Sequence, residues 1–115
     1  MGYDGNVYKD LQRDASIIRV LERLHARLGP GAFEIVDHWE GDRVAIGVAK
    51  PDCHSLLAYI STLGMAEDSY WVSLEFPPEP ESELPYTQGN EREVTSFEEL
   101  VEIIQRHFAS ANRRR

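Results

Sequence analysis

Cys53 and His54, preceded by Asp52, are the residue types from which a nucleophile and its base are made. A thiol becomes a useful nucleophile when an imidazole or another cation lies beside it. The surrounding sequence predicts a helix from Asp52 or Cys53 to Leu63, and successive helical residues point roughly a hundred degrees apart. Neighbours in sequence are then not neighbours in space, and no flanking motif supports catalysis by Cys53. The four histidines are His25, His38, His54 and His107. None stands three or four positions from another histidine, so there is no local zinc motif. A single cysteine excludes an internal disulfide and any cysteine-rich zinc site. Glu79, Glu81 and Glu83 alternate in a proline-rich stretch, without the aspartate-rich loop and placed glycine that calcium needs. The glycines fall at turns or in a strand, not in a phosphate-cradling pattern. The expectation is no catalytic residue, no metal and no cofactor. A small enzyme or metal-site protein assembled from distant His and Glu residues is the alternative.

Charge gives the stronger functional signal. The chain has 115 residues and a net charge of −8. Eleven acidic residues and one basic residue, Arg92, lie between Glu67 and Glu102. Phosphates would be repelled by such a surface, so nucleic acid is not an expected partner. An acidic face suits a basic protein partner. The candidate partner-binding residues are Glu75, Glu79, Glu81, Glu83, Tyr86, Glu91 and Glu93. Aromatics among carboxylates supply contact area while the acids steer approach. Trp39 and Trp71 are open to two readings, as members of that surface or as core. No apolar run approaches the roughly twenty residues a membrane span needs, and the N-terminus lacks the pattern of a secretory signal. A cytoplasmic location is the expectation.

These residues need elements to position them. A first helix is expected from about Asp10 to Leu28, with Ile17, Leu21, Leu24 and Leu28 as its stripe and Arg13, Arg19, Arg23 and Arg27 mainly on other faces. Gly29-Pro30-Gly31 stops it. Phe33 to Trp39 and Arg43 to Ala49 alternate as a hairpin about Glu40-Gly41-Asp42. The second of these strands is apolar or small on both faces, so it is expected to be central. After the helix assigned to Asp52–Leu63, Tyr70 to Phe76 reads as a strand stopped by Pro77-Pro78. The loop Pro77 to Glu93 spans seventeen residues, long for a compact domain, and Glu91 to Thr95 is a possible short edge strand. Ser96 and Glu99 have capping-box spacing. They open a helix to about Phe108 with Phe97, Leu100, Val101, Ile104 and Phe108 on one face.

The run Val94-Thr95-Ser96-Phe97-Glu98-Glu99-Leu100-Val101-Glu102-Ile103-Ile104, following an apolar strand and an acidic loop, resembles the C-terminal part of small acidic α+β immunity proteins. The resemblance covers roughly the last forty residues. It implies binding and blocking of a toxin, often a basic nuclease or deaminase. The sequence therefore predicts a single α+β domain over residues 1–115, with 1–9 and 111–115 loose. It has a small antiparallel sheet of three or four strands and two or three helices packed on it. The expected role is noncatalytic protein binding, of immunity type. An accessory domain without its own ligand is a further alternative.

Overall fold

The computed structural model describes residues 11–36, 42–78, 80–81, 83 and 87–110. The expected looseness of 1–9 and 111–115 lies outside these residues, as do His38, Trp39 and Glu40-Gly41 of the expected hairpin turn. The fold is α+β, with one five-stranded antiparallel sheet and two helices. The sheet has one strand more than the upper expectation.

Helix α1 runs Ala15–Leu28. It starts later than Asp10 because Asp14 caps it, accepting from the Ser16 N–H with its own backbone extended. Gly29 ends it at φ +96°, a conformation that favours glycine. Ile17, Val20, Leu21 and Leu24 are buried. Arg13 departs from the expected exposed face. It precedes the helix, is buried, and donates from Nε to the Ala45 carbonyl at 2.8 Å.

Strand β1 (Glu34–Val36) pairs with β2 (Ala45–Lys50) as the expected hairpin, Glu34 opposite Ala49. All of β2 except Lys50 is buried, in keeping with its two apolar faces. The expected helix at 52–63 is instead strand β3, Cys53–Ser61. Leu56, Tyr59, Ile60 and Leu63 do recur at helical spacing. Leu56, Ala58 and Ile60 also alternate, and Pro51-Asp52 forms a tight turn that sets Cys53 against Lys50. Immediate pairing with β2 stabilises the strand, and local helical periodicity loses to it. Leu63, expected on the apolar stripe, falls beyond the strand and is 72% exposed.

Strand β4 (Tyr70–Phe76) has its expected bounds. Strand β5 (Thr87–Val94) is longer than the short edge expected at Glu91–Thr95. The five strands lie in chain order, each antiparallel to the next. Pairing between β4 and β5 shifts register between Ser73 and Glu75. Gly89 sits at that irregularity. A Cβ there would lie 2.6 Å from the Phe76 ring and 2.9 Å from the Leu74 carbonyl oxygen, so only glycine fits.

Helix α2 spans Phe97–Ala109. The Ser96 hydroxyl accepts from the Glu99 N–H at 3.1 Å. The Glu99 carboxylate reaches back to the Thr95 N–H at 3.2 Å, one residue before the expected Ser96. Both helices pack on the same sheet face. Ile17, Leu21 and Leu24 of α1 and Leu100, Val101 and Ile104 of α2 enclose Ile46, Val48, Ala58, Ile60 and Val72. A second cluster of Val36, Ala49, Leu57 and Tyr59 lies on the opposite face. His107 belongs to the core and not to a solvated helix end. It is 3% exposed, stacks edge-on against Phe76, and points Nε2 at the carbonyls of Leu57 (3.1 Å) and Glu75 (2.8 Å). Both partners are acceptors, so Nε2 carries the proton and ties α2 to β3 and β4 together.

Chemical denaturation will rank these features. Leu100→Ala, at a fully buried position, should cost ~2–5 kcal/mol. Gly89→Ala should cost ~1–3 kcal/mol because the new methyl meets both the Phe76 ring and the Leu74 carbonyl oxygen, and the backbone oxygen cannot swing aside. Ser96→Ala should cost ~0.5–2 kcal/mol. An unchanged midpoint for Leu100→Ala would show that α2 is not a core element.

Candidate functional site

Strand alternation sends Val72 and Leu74 toward the helices, and Trp71, Ser73 and Glu75 away from them. The antiparallel register then sets their neighbours. Trp71 lies opposite Ser61 on β3 and Glu93 on β5. Ser73 lies opposite Tyr59 and Glu91, and Glu75 opposite Leu57 and Gln88. Paired residues share a face, so this face gathers two aromatic rings, two serine hydroxyls and three carboxylates. Tyr59, Trp71, Ser73, Glu75 and Glu91 line a shallow depression of about 180 Å³. Trp71 is 39% exposed and so is not a core residue. Glu91 and Glu93 are exposed and Glu75 is half-buried.

Two hydrogen bonds set the polar groups. Ser73 Oγ donates to Glu91 Oε2 at 3.3 Å. The Tyr59 hydroxyl donates to Asp42 Oδ2 at 3.1 Å. Burial raises the Tyr59 phenol above its ordinary range, and the Asp42 carboxylate adds to the rise. Tyr59 therefore presents a neutral ring at any physiological pH. A carboxylate is a poor base for a serine hydroxyl without an imidazole between them. Of the described histidines, none lines the depression. The arrangement offers contact area and negative charge rather than a nucleophile.

The other sequence candidates fall elsewhere. Cys53 and His54 are successive strand residues, so they point to opposite faces, and His54 pairs with Glu34 instead. Strand geometry, not the expected helix, keeps them apart. Among the described residues, no three His, Cys, Asp or Glu side chains gather as a metal site would require. Glu81 and Glu83 are exposed in the loop and are not among the residues that line the depression. Glu79 and Tyr86 lie outside the described residues. Of the expected acidic set, the sheet brings together Glu75, Glu91 and Glu93. Tyr59 and Ser73 joined them unforeseen. Alternation over 70–76 could have pointed to Ser73, but the helical assignment of 52–63 hid Tyr59.

Family models, curated proteins and solved structures were compared with the chain, and none matches. Among the described residues, no helix is long and apolar enough to cross a membrane.

The Tyr59 environment is open to titration. A raised folded value means that its contribution to stability is full below the ordinary tyrosine range near 10 and fades as pH climbs through the folded value. Asp42→Asn removes the nearby charge and should lower the Tyr59 value part of the way. Ultraviolet detection of tyrosinate in the two proteins reads this directly. Identical titration curves would show that burial alone sets the shift.

Proposed function

We propose that this protein is a noncatalytic binding domain that uses the sheet face away from its helices to engage a basic protein partner. The observation that carries the reading is Trp71, a large aromatic left 39% exposed beside the carboxylate-bearing strand β5, directly opposite Glu93. A part-exposed indole leaves apolar surface in water that the fold does not cover. At an interface it supplies rigid area, and such residues commonly hold a large share of binding energy. Glu93 opposite it, Glu91 on the diagonal and Glu75 further along β4 favour a cationic partner, as does the net charge of −8. The resemblance of residues 94–104 to immunity proteins makes the partner class a basic toxin, with neutralisation as the outcome. In this reading Glu81 and Glu83 lend long-range attraction, while the face makes the contact.

The experiment is quantitative co-purification from the native cell with mass spectrometry, followed by binding kinetics on the basic protein recovered. Trp71→Ala should weaken binding by ~2 kcal/mol, roughly thirtyfold, mainly through faster dissociation. Reversal of Glu91 and Glu93 to lysine should slow association, and added salt should do the same because the Debye length is already ~8 Å at ~0.15 M. Reversal of Glu81 and Glu83 should have a smaller effect on the same rate. Kinetics indifferent to salt, to Trp71→Ala and to both reversals would sink the proposal.

A further inference from the structure

The edge of the sheet beside this face is also built for recognition. Among the described residues β5 has a paired neighbour on one side only, β4. Eight residues of backbone, Thr87–Val94, thus present a row of donors and acceptors at the rim. The two sides of that rim differ. Glu91 and Glu93 project on the face of Trp71 and Ser73. Asn90 and Arg92 project on the helix side, where Arg92 is held by an ion pair to Glu99. On that side a hollow of about 200 Å³ opens between β5 and α2, lined by the apolar Leu74, Phe76 and Ile103 but also by Arg92 and Arg106. One edge therefore carries acids on one side and, on the other, a partly apolar recess flanked by arginines.

We propose that β5 receives an extended segment of the partner as a sixth strand, with lysine or arginine at alternate positions and aliphatic residues between them. The proposal rests on the protein-binding reading above and adds its mode. Side chains of an added strand alternate as those of β5 do. Those beside Glu91 and Glu93 meet negative charge and are matched by cations. Those between them lie beside Asn90 and Arg92 and extend over the Leu74, Phe76 and Ile103 side chains of the recess, where aliphatic groups pack and a further cation would meet Arg92 and Arg106. Main-chain hydrogen bonds supply affinity in such strand addition, and the alternating pockets supply selectivity. A second copy of this chain is a poorer occupant. Joining two β5 edges in register about Glu91, Arg92 or Glu93, with the helices on one side, sets like charges directly opposite, which is destabilising. The charged triplet thus disfavours self-pairing while leaving the edge open to a strand of opposite sign.

The test uses the full chain and three short synthetic peptides: one alternating lysine with valine, one with every lysine replaced by glutamate, and one with every valine replaced by serine. The lysine–valine peptide should bind saturably and slow amide hydrogen exchange within residues 87–94. Each of the other peptides should bind at least about tenfold more weakly, as should the lysine–valine peptide to the Glu91→Lys/Glu93→Lys variant. Exchange protection confined to other segments, equal binding of the three peptides, or no binding would overturn the sixth strand. Loss of a native partner's binding on Trp71→Ala, with exchange in 87–94 unchanged by that partner, would defeat the added strand and leave the binding face standing.

Discussion

The register of β2, β3 and β4 determines where every other side chain can point. Ile46 opposes Ile60, and Ile60 opposes Val72, so one row of the ladder runs straight into the helices. Val48, Ala58 and Leu74 form the next row on the same face. A slip of one residue in any strand would turn its whole apolar set to the other side. The same constraint fixes the opposite face, because Tyr59, Ser73 and Glu91 are brought into line by the same hydrogen bonds. Core and candidate site are the two sides of one register, and neither can be changed alone.

The helices lock that register from above. Leu100 and Ile104 are fully buried against it, and His107 reaches between β3 and β4 to two carbonyls. A histidine in that position acts differently from a leucine of similar size, because its donor requires both strands to hold their relative height. The two helices are joined at the surface as well. Arg23 bonds Asp68 at 2.7 Å and lies 4.1 Å over the Phe97 ring, and Arg27 meets Glu98 at 2.6 Å. Arginines that read as a solvated basic stripe on α1 thus tie it to the start of α2. They neutralise part of the acidic C-terminal half from within the molecule.

How much of this was legible follows from how local each signal is. The cap and stripe of α2, the bounds of β4 and the pairing of β1 with β2 are written in adjacent residues, and all three stand. The stretch 53–61 is ambiguous locally, since Leu56, Tyr59, Ile60 and Leu63 satisfy a helix while Leu56, Ala58 and Ile60 satisfy a strand. A two-residue turn at Pro51-Asp52 decides between them, and its effect comes from a partner strand that periodicity does not see. The length of β5 was hidden by its polar composition: Thr87 to Glu93 contains no large apolar residue because an edge strand needs few. The acidic residues of the site were visible from charge alone. Their grouping with Trp71 and Ser73 required the register.

The charge pattern of β5 shows what the site face tolerates. Glu91, Arg92 and Glu93 are consecutive, yet alternation sends the arginine to the helix side, where it pairs with Glu99. The acids therefore remain on the other face, where Glu75 and Glu91 line the depression with Tyr59, Trp71 and Ser73. Their repulsion is held down by placement. Across the strands Glu91 faces a serine and Glu93 a tryptophan, so no two carboxylates stand directly opposite, where like charges cost most. Glu75 meets them only diagonally, across the shift in register that Gly89 permits.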